Sequence, residues 1–299
     1  MSTVVEVEGR SLTLSNLGKV LYPLSGFTKG EVIDYYARIA PVLLPHMGDR
    51  AMTRRRFPDG VDGGSFYEKN CPKHRPDWVG TLPVAGEDGL ITFCQLDSLA
   101  ALIWSANLAA LELHAPMARA ADPETPTMVV FDLDPGPPAG VRECAEVALW
   151  LHHVLADLGL GCTVKTSGSK GLQVYLPLNT PATHAATAEM ARTLAQVMEQ
   201  QHPDRVVSVQ RKTLREGKVL IDWSQNARHK TTACVYTLRA RPRPTVSTPL
   251  RWAEVEAALD AGDPEALTFE APAVVARVAE HGDLWAPAVE LRQDLPALG

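Results

Sequence analysis

No run of eighteen apolar residues occurs in the 299-residue chain, which excludes a transmembrane helix of ordinary length. The N-terminus, "MSTVVEVEGR", lacks the charged-then-apolar pattern of a secretory signal, so a cytoplasmic location is expected. Cysteine is scarce. The five residues Cys71, Cys94, Cys144, Cys162 and Cys234 are scattered and odd in number, and they suggest no disulfide framework. Cys71 and His74 share the stretch "CPKH", but no second ligand pair follows at zinc spacing. A surface loop is expected there. No internal repeat or low-complexity tract is visible.

What is present is ordinary in bulk: 45% hydrophobic and 21% charged residues, the composition of a globular protein with a large core. The length suits one domain of two sub-modules. The net charge of −6 argues at first against a nucleic-acid partner, but its distribution reverses that. Residues 253–299 hold ten acids and two bases, whereas 205–251 hold eleven bases and two acids. "DRAMTRRRF" at 49–57 adds a second basic knot. A basic stripe on an otherwise acidic chain is the footprint of a phosphate-backbone partner.

Helix spacing of Val32, Ile33, Tyr36, Ile39 and Ala40 predicts an amphipathic helix over 30–45. The apolar run 96–113 reads as one buried helix opened by Asp97 or Ser98. From residue 127 the pattern is strand ("TMVVFDL"), helix closed by Gly159, strands "CTVKTS" and "LQVYLPL", helix, then strands "RVVSVQ" and "KVLIDW". That order is the β-α-β-β-α-β of ferredoxin-like and RNA-recognition-motif sheets, with one extra strand. It predicts the first strand at the centre, flanked by the last and the third. Asp132 and Asp134 then lie beside Asp222, with Gln173 on the other side.

The stretch "VVFDLDPGP" at 129–137 ends an apolar strand with two acids. Residues i and i+2 of a strand share a face about 7 Å apart. Asp132, Asp134 and Asp222 would repel one another unless cations neutralise them, and hard divalent ions with oxygen ligands do so. Two such ions about 4 Å apart suit an in-line phosphoryl displacement.

Two further stretches point the same way. "KTSGSKGLQVYLPL" (165–178) holds a Ser-Gly-Ser-Lys-Gly turn whose backbone N–H groups, hydroxyls and ammonium suit a triphosphate. It is not a Walker A loop, for the spacing differs and no helix follows. "IDWSQN" and "TLRARP" bring Gln225 and Arg239 on or just beyond the carboxylate strand, where an arginine can grip phosphate bidentately.

Together "FDLDPG", "TSGSKGL", "IDWSQN", "TLRARP" and "PLRW", with upstream "KVLYP", "FTKGEVIDYYARIA", "TRRRFPDGVDGGSFYEK" and "LELH", resemble the polymerase domain of bacterial DNA ligase D, in the archaeo-eukaryotic primase superfamily. The likeness fades after about residue 255. It implies an α+β primase-type fold: a catalytic sheet like that of RNA-recognition motifs packed with an N-terminal α/β module. The expected layout is one catalytic domain over 1–299. Its sub-modules are 1–125 (DNA-end binding), 126–250 (catalytic) and an acidic segment 251–299.

The resemblance also implies roles. Asp132, Asp134 and Asp222 match the catalytic, metal-binding triad, holding two Mn2+ or Mg2+ ions. His114, Ser167, Lys170, Gln225 and Arg239 match nucleotide-pocket residues. Lys19 and Lys29 match a pair gripping the 5′-phosphate of a broken end. Phe66 and Tyr67 match an aromatic pair at the template bases, Tyr67 departing from Phe, and Arg54 and Arg56 belong to an arginine element counted with the DNA contacts. Gln173 stands where the family's "KGLH" has a histidine that contacts the triphosphate, which predicts a higher nucleotide requirement.

The implied function is template-directed nucleotidyl transfer, with a preference for ribonucleotides, at DNA ends and gaps in end-joining repair. The implied partners are 5′-phosphorylated DNA, nucleoside triphosphates and, in trans, a DNA ligase and the end-binding protein Ku. The implied setting is the bacterial nucleoid, with no membrane. A primer-independent primase and a non-catalytic end-binding module are the rival readings. No Lys-x-Asp-Gly ligase motif occurs, so a stand-alone homologue or one excised domain is expected, the Met1 start favouring the former.

Overall fold

The computed structural model describes residues 2–87 and 89–296. The chain folds into two compact units. One comprises Met1–Pro116, Thr231–Ser247 and Glu270–Asp283; the other comprises Met117–Lys230, Thr248–Phe269 and Leu284–Gly299. The chain thus returns twice to the first unit after residue 230. Among the described residues no helix is long and apolar enough to cross a membrane.

In the first unit the helix Lys29–Met47 begins at a capping box. Thr28 Oγ1 accepts from the Glu31 N–H, and Glu31 accepts from the Thr28 N–H at 2.7 Å, which satisfies two donors that open helix ends leave unpaired. Its buried stripe includes Val32, Tyr36, Ile39 and Leu43, close to the predicted helix. Tyr36 donates its hydroxyl hydrogen to the Leu111 carbonyl at 2.6 Å, which ties the helix to the sheet.

That sheet has four antiparallel strands in the order Thr231–Ala233, Ala110–Pro116, Thr53–Arg56, Phe66–Glu68. Here the structure corrects the single helix expected over 96–113. The helix runs only from Leu99 to Asn107, capped by Ser98. Ala109 then takes φ +58° and the chain continues as the strand Ala110–Pro116. Both elements are buried along nearly their whole length, so neither shows the periodicity that separates helix from strand.

A second correction concerns cysteine: Cys71 and Cys94 form a disulfide across 23 residues. The bridge ties the loop carrying "CPKH" to the end of the hairpin Thr81–Gly86/Gly89–Cys94.

The second unit is built on a six-stranded sheet in the order Val206–Val207, Val219–Asp222, Met128–Pro135, Leu172–Pro177, Thr163–Thr166, Pro249–Leu250. The middle four strands are antiparallel and carry the expected order, with the first strand between the last and the third. The edge strand Pro249–Leu250, from the "PLRW" stretch, is an addition that periodicity does not signal.

Alternation along these strands decides what faces the helices. Val129, Phe131, Leu133, Val164, Leu172, Val174, Leu176, Val219 and Ile221 join one buried core with residues of the helices Val141–Asp157 and His184–Gln201. Strand side chains alternate, so Asp132, Asp134, Lys165, Gln173 and Asp222 occupy the opposite face. Beyond the end of Val219–Asp222, Asn226 extends the pairing. Its side-chain amide accepts from the Val130 N–H and donates to the Val130 carbonyl, each at 2.8 Å.

Candidate active site

Register brings four polar residues of the second unit into one row. Asp132 pairs with Asp222 on one side and with Gln173 on the other, and Gln173 pairs with Lys165. Directly opposed side chains in antiparallel strands lie about 5 Å apart at Cβ. The row Asp222–Asp132–Gln173–Lys165 therefore needs only strand alternation and register to form. Asp134 lies two residues along, opposite Leu220, and is exposed.

The row is hydrogen-bonded from end to end on its Lys165 side. The fully buried Lys165 ammonium donates to Gln173 Oε1. Gln173 Nε2 donates to Asp132 Oδ1 at 3.0 Å. On the other side, Asp222 Oδ1 accepts from the Ser224 N–H at 3.0 Å and the Ser224 hydroxyl at 2.7 Å, and Oδ2 accepts from Gln225 Nε2 at 2.9 Å. Among the described residues no three His, Cys, Asp or Glu side chains are gathered as a ready metal cage.

The donor chemistry nevertheless fits a hard cation. Burial pushes the Asp132 carboxyl up to about 7, Asp134 and Asp222 add to the rise, and the Gln173 hydrogen bond and Lys165 oppose it. A carboxylate so disfavoured beside two others is one that a divalent ion would stabilise.

The Ser-Gly-Ser-Lys-Gly turn lies against this strand. A Cβ on Gly171 would stand 1.9 Å from the Leu133 carbonyl oxygen, so only glycine fits there, and Leu133 separates the two acids. The turn closes on itself: Ser167 Oγ accepts from the N–H groups of Ser169 and Gly171, both at 3.2 Å. Those two donors, expected to face a ligand, point inward. Lys170 is exposed. The Pro-Gly turn after the acids has a similar cause, since a Cβ on Gly136 would meet the Arg215 carbonyl oxygen at 1.9 Å.

In the first unit Tyr67, Arg55, Glu112 and His114 share one sheet face, because Arg55 pairs with both Tyr67 and Glu112, and His114 is two residues on. His114 Nε2 lies 2.9 Å from Glu112 Oε2, and Tyr67 packs edge-on against the imidazole. Arg239 Nε donates to Glu112 Oε1 at 3.3 Å. His114, just past the helix expected over 96–113, is thus a strand residue. Arg239, expected on or just beyond the carboxylate strand, instead belongs to the first unit and meets His114 through a shared acid. Sequence reasoning misses Glu112. Its only signal there is a lone glutamate between leucines in "LELH".

Phe66 and Tyr67, 46% and 59% exposed, are consecutive on a strand and so face opposite ways. Arg56 lies over Phe66 and Arg55 over Tyr67. Arg54, expected among the DNA contacts, is inside: it is 1% exposed, 2.6 Å from Glu68 and stacked on Trp104. Lys19 and Lys29 are brought together by the pairing of Val20 with Thr28, and the Lys29 N–H donates to the Lys19 carbonyl. Burial lowers the Lys29 pKa, and the charges of Lys19 and Arg56 lower it further, so cations converge here. Lys19 also pairs with Asp59 at 2.8 Å.

Comparison with known proteins gives one consistent answer. Residues 28–285 match the family model for the LigD primase-polymerase domain. The chain is 42% identical over 281 residues to the multifunctional non-homologous end joining protein LigD of Mycobacterium bovis, covering 91% of this chain and 36% of that protein. It is 30% identical over 249 residues to the bifunctional LigD of Bacillus subtilis, covering 83% of this chain and 40% of the relative. The chain therefore spans less than half the length of these relatives. Among solved structures it resembles the polymerase domain of Mycobacterium tuberculosis ligase D in complex with DNA. That match has a TM-score of 0.87 and 40% identity, and covers 95% of this chain and 99% of the other. The chain belongs to the LigD primase-polymerase domain family.

Proposed function

We propose that this chain is a template-directed nucleotidyltransferase, a DNA/RNA polymerase of primase type. It fills or extends 5′-phosphorylated DNA ends and gaps during non-homologous end joining, and it prefers ribonucleotides. The observation that carries the reading is the in-register row of Asp222, Asp132 and Gln173, with Asp134 two residues beyond. Asp134 and Asp222 both disfavour the charge on Asp132, and carboxylates gathered in this way cost stability unless a cation is bound.

In the proposed reaction the primer 3′-hydroxyl oxygen attacks the α-phosphorus of a nucleoside triphosphate. The new phosphodiester bond forms as the α–β bridging bond breaks and pyrophosphate leaves. Asp132, Asp134 and Asp222 would hold divalent metal, Mn2+ or Mg2+, which supplies charge neutralisation at the phosphates. Gln173 and Lys165 orient Asp132, while Ser224 and Gln225 orient Asp222. Lys170 and Ser167 would meet the triphosphate, and His114, Gln225 and Arg239 the nucleotide. Lys19 and Lys29 would take the 5′-phosphate, with Phe66, Tyr67 and Arg56 at the DNA. A DNA ligase and Ku acting in trans would be the protein partners.

The deciding experiment is primer extension on a 5′-phosphorylated gapped duplex with Mn2+ or Mg2+, comparing ribo- with deoxyribonucleotides. Extension that depends on template and metal and favours ribonucleotides supports the reading. Tight binding of the gap without any extension would replace it with an end-binding module, and dinucleotide synthesis on an unprimed template would replace it with a primase.

A further inference from the structure

Glu112 is an acid inside the first unit, 2% exposed, and four groups converge on it. Oε2 faces His114 Nε2 at 2.9 Å and Arg55 Nη1 at 3.6 Å. Oε1 accepts from the Ala240 N–H at 2.9 Å and from Arg239 Nε at 3.3 Å. Burial alone would raise this carboxyl, but the His114 hydrogen bond, the Arg239 charge and the Ala240 N–H outweigh it and hold it at about 2.

An ionised carboxylate only accepts hydrogen bonds. The ring nitrogen of His114 that faces it must therefore carry the hydrogen, which makes Nε2–H the tautomer and leaves Nδ1 as the nitrogen not engaged by Glu112. Tyr67, edge-on at 5.6 Å, restricts the ring, and Arg55 lies over Tyr67 at 5.2 Å. Arg239 is fixed in the same way. Its Nε is used by Glu112, and planarity of the guanidinium then sets the direction of the whole fork.

We propose that Glu112 is a positioning residue for the nucleotide: without touching it, Glu112 fixes the tautomer of His114 and the plane of Arg239 before the nucleotide arrives. The inference rests on the reading of His114 and Arg239 as nucleotide contacts. The competing explanation is that Glu112 only neutralises the half-buried Arg55 and Arg239. That role would show as stability alone, with no change in the nucleotide KM.

The groups facing His114 are Glu112, Arg55, Tyr67 and Arg239. Burial lowers its pKa, Glu112 raises it, and Arg239 and Arg55 lower it. Removing the Glu112 charge should therefore move the His114 titration further down.

The test uses the full chain. Ring-nitrogen NMR of the free protein reads the His114 tautomer and its pH titration, and steady-state extension with one nucleoside triphosphate separates KM from kcat. Wild type should show Nε2–H alone. Glu112→Gln should show mixed tautomers, a lower His114 titration, and a KM raised roughly tenfold with little change in kcat, the scale expected for loss of a group that orients a ligand-binding histidine. A wild-type His114 protonated on Nδ1 overturns the proposal without any variant, so it remains testable even if Glu112→Gln does not fold. A KM raised by His114→Ala but unchanged by Glu112→Gln also overturns it. A KM unchanged in both variants overturns it too, but by removing the nucleotide reading of His114, while the tautomer measurement still shows whether Glu112 sets the ring.

Discussion

Gln173 donates to Asp132 Oδ1 at 3.0 Å while its carbonyl oxygen accepts from Lys165. One amide thus links a buried cation to a half-buried acid. Glutamine can do this because it carries a donor and an acceptor at its tip, and at 4% exposure it has little reach toward solvent. The geometry favours a positioning role for Gln173 over the triphosphate contact that the family's histidine implies. Gln173→Leu should leave Lys165 and Asp132 each short of a partner and cost about 1–3 kcal/mol, read by urea unfolding. Gln173→His should keep extension near wild type, since a neutral imidazole also offers one donor and one acceptor. A lower nucleotide KM in the histidine variant would mean that position 173 does reach the triphosphate.

Asp132 is the acid most constrained by its neighbours, because burial, Asp134 and Asp222 all disfavour its charge. Asp132→Asn keeps the shape and an acceptor for Gln173 but removes the charge. Extension should fall by about 100-fold or more, the scale of losing one preorganised electrostatic contact. Unfolding stability should rise by about 1 kcal/mol, as expected when a strained functional group is relieved. Binding to a gapped duplex should not change. Retained extension would remove Asp132 from the chemistry.

Lys29 is buried against Ser15 Oγ at 3.3 Å, and Lys19 is half exposed beside Asp59. Two ammonium groups with Arg56 nearby make a site that an anion would relieve. Lys19→Ala combined with Lys29→Met, which keeps the buried stem, should erase any preference for a 5′-phosphorylated end. The salt slope of DNA binding should fall by about 1–2. An unchanged ratio of affinities for phosphorylated and unphosphorylated gaps would count against the assignment.

The Asp132 row is legible in the sequence because strand alternation and the β-α-β-β-α-β order are both written locally. The odd-numbered residues 129, 131 and 133 are apolar, so 132 and 134 share the other face. The first unit is harder to read for a physical reason. Its sheet joins Thr53–Arg56, Ala110–Pro116 and Thr231–Ala233, segments separated by long stretches of chain, and no local pattern announces such pairing. Ala109 breaks the apolar run with a positive φ that alanine does not advertise. Arg54 looks like surface charge within "TRRR", yet strand alternation puts it on the face holding Glu68 and Trp104. Asn226 closes the "IDWSQN" motif, but its amide serves the backbone of Val130 rather than a ligand.

The depressed Glu112 carboxyl, held at about 2, carries a pH signature. An acid whose folded pKa lies below its unfolded value of about 4.3 stabilises the fold above that value, and the stabilisation disappears as pH falls through the folded pKa. The stability gap between wild type and Glu112→Gln should therefore be largest above about pH 5 and should shrink steadily toward pH 2. Urea unfolding at several acidic pH values measures it. A gap independent of pH over that range would mean that Glu112 is not ionised in the folded protein.

The bridge between Cys71 and Cys94 closes a loop of 23 residues that contains Trp78 and the strand Thr81–Gly86. Cys94 is 2% exposed and Val79 is 1% exposed, so the loop packs inward near the bridge, while Leu90 at the hairpin tip is 68% exposed. The Cys71 N–H also donates to the Thr92 carbonyl at 2.6 Å, and the Gln95 N–H to the Gly80 carbonyl at 2.8 Å. These hydrogen bonds hold the same segments together without the covalent bond. Breaking the bridge should therefore lower stability without unfolding the unit. Closing a loop of this length is worth about 3 kcal/mol by chain entropy, and the measured loss should be at or below that. Denatured, unreduced protein should show three titratable thiols, from Cys144, Cys162 and Cys234. Dithiothreitol and Cys71→Ser should give the same drop in urea midpoint, and dithiothreitol should have no further effect on the variant. Five free thiols in protein purified under air would show that the bridge does not form. A drop caused by dithiothreitol in Cys71→Ser would place the reducible bond elsewhere.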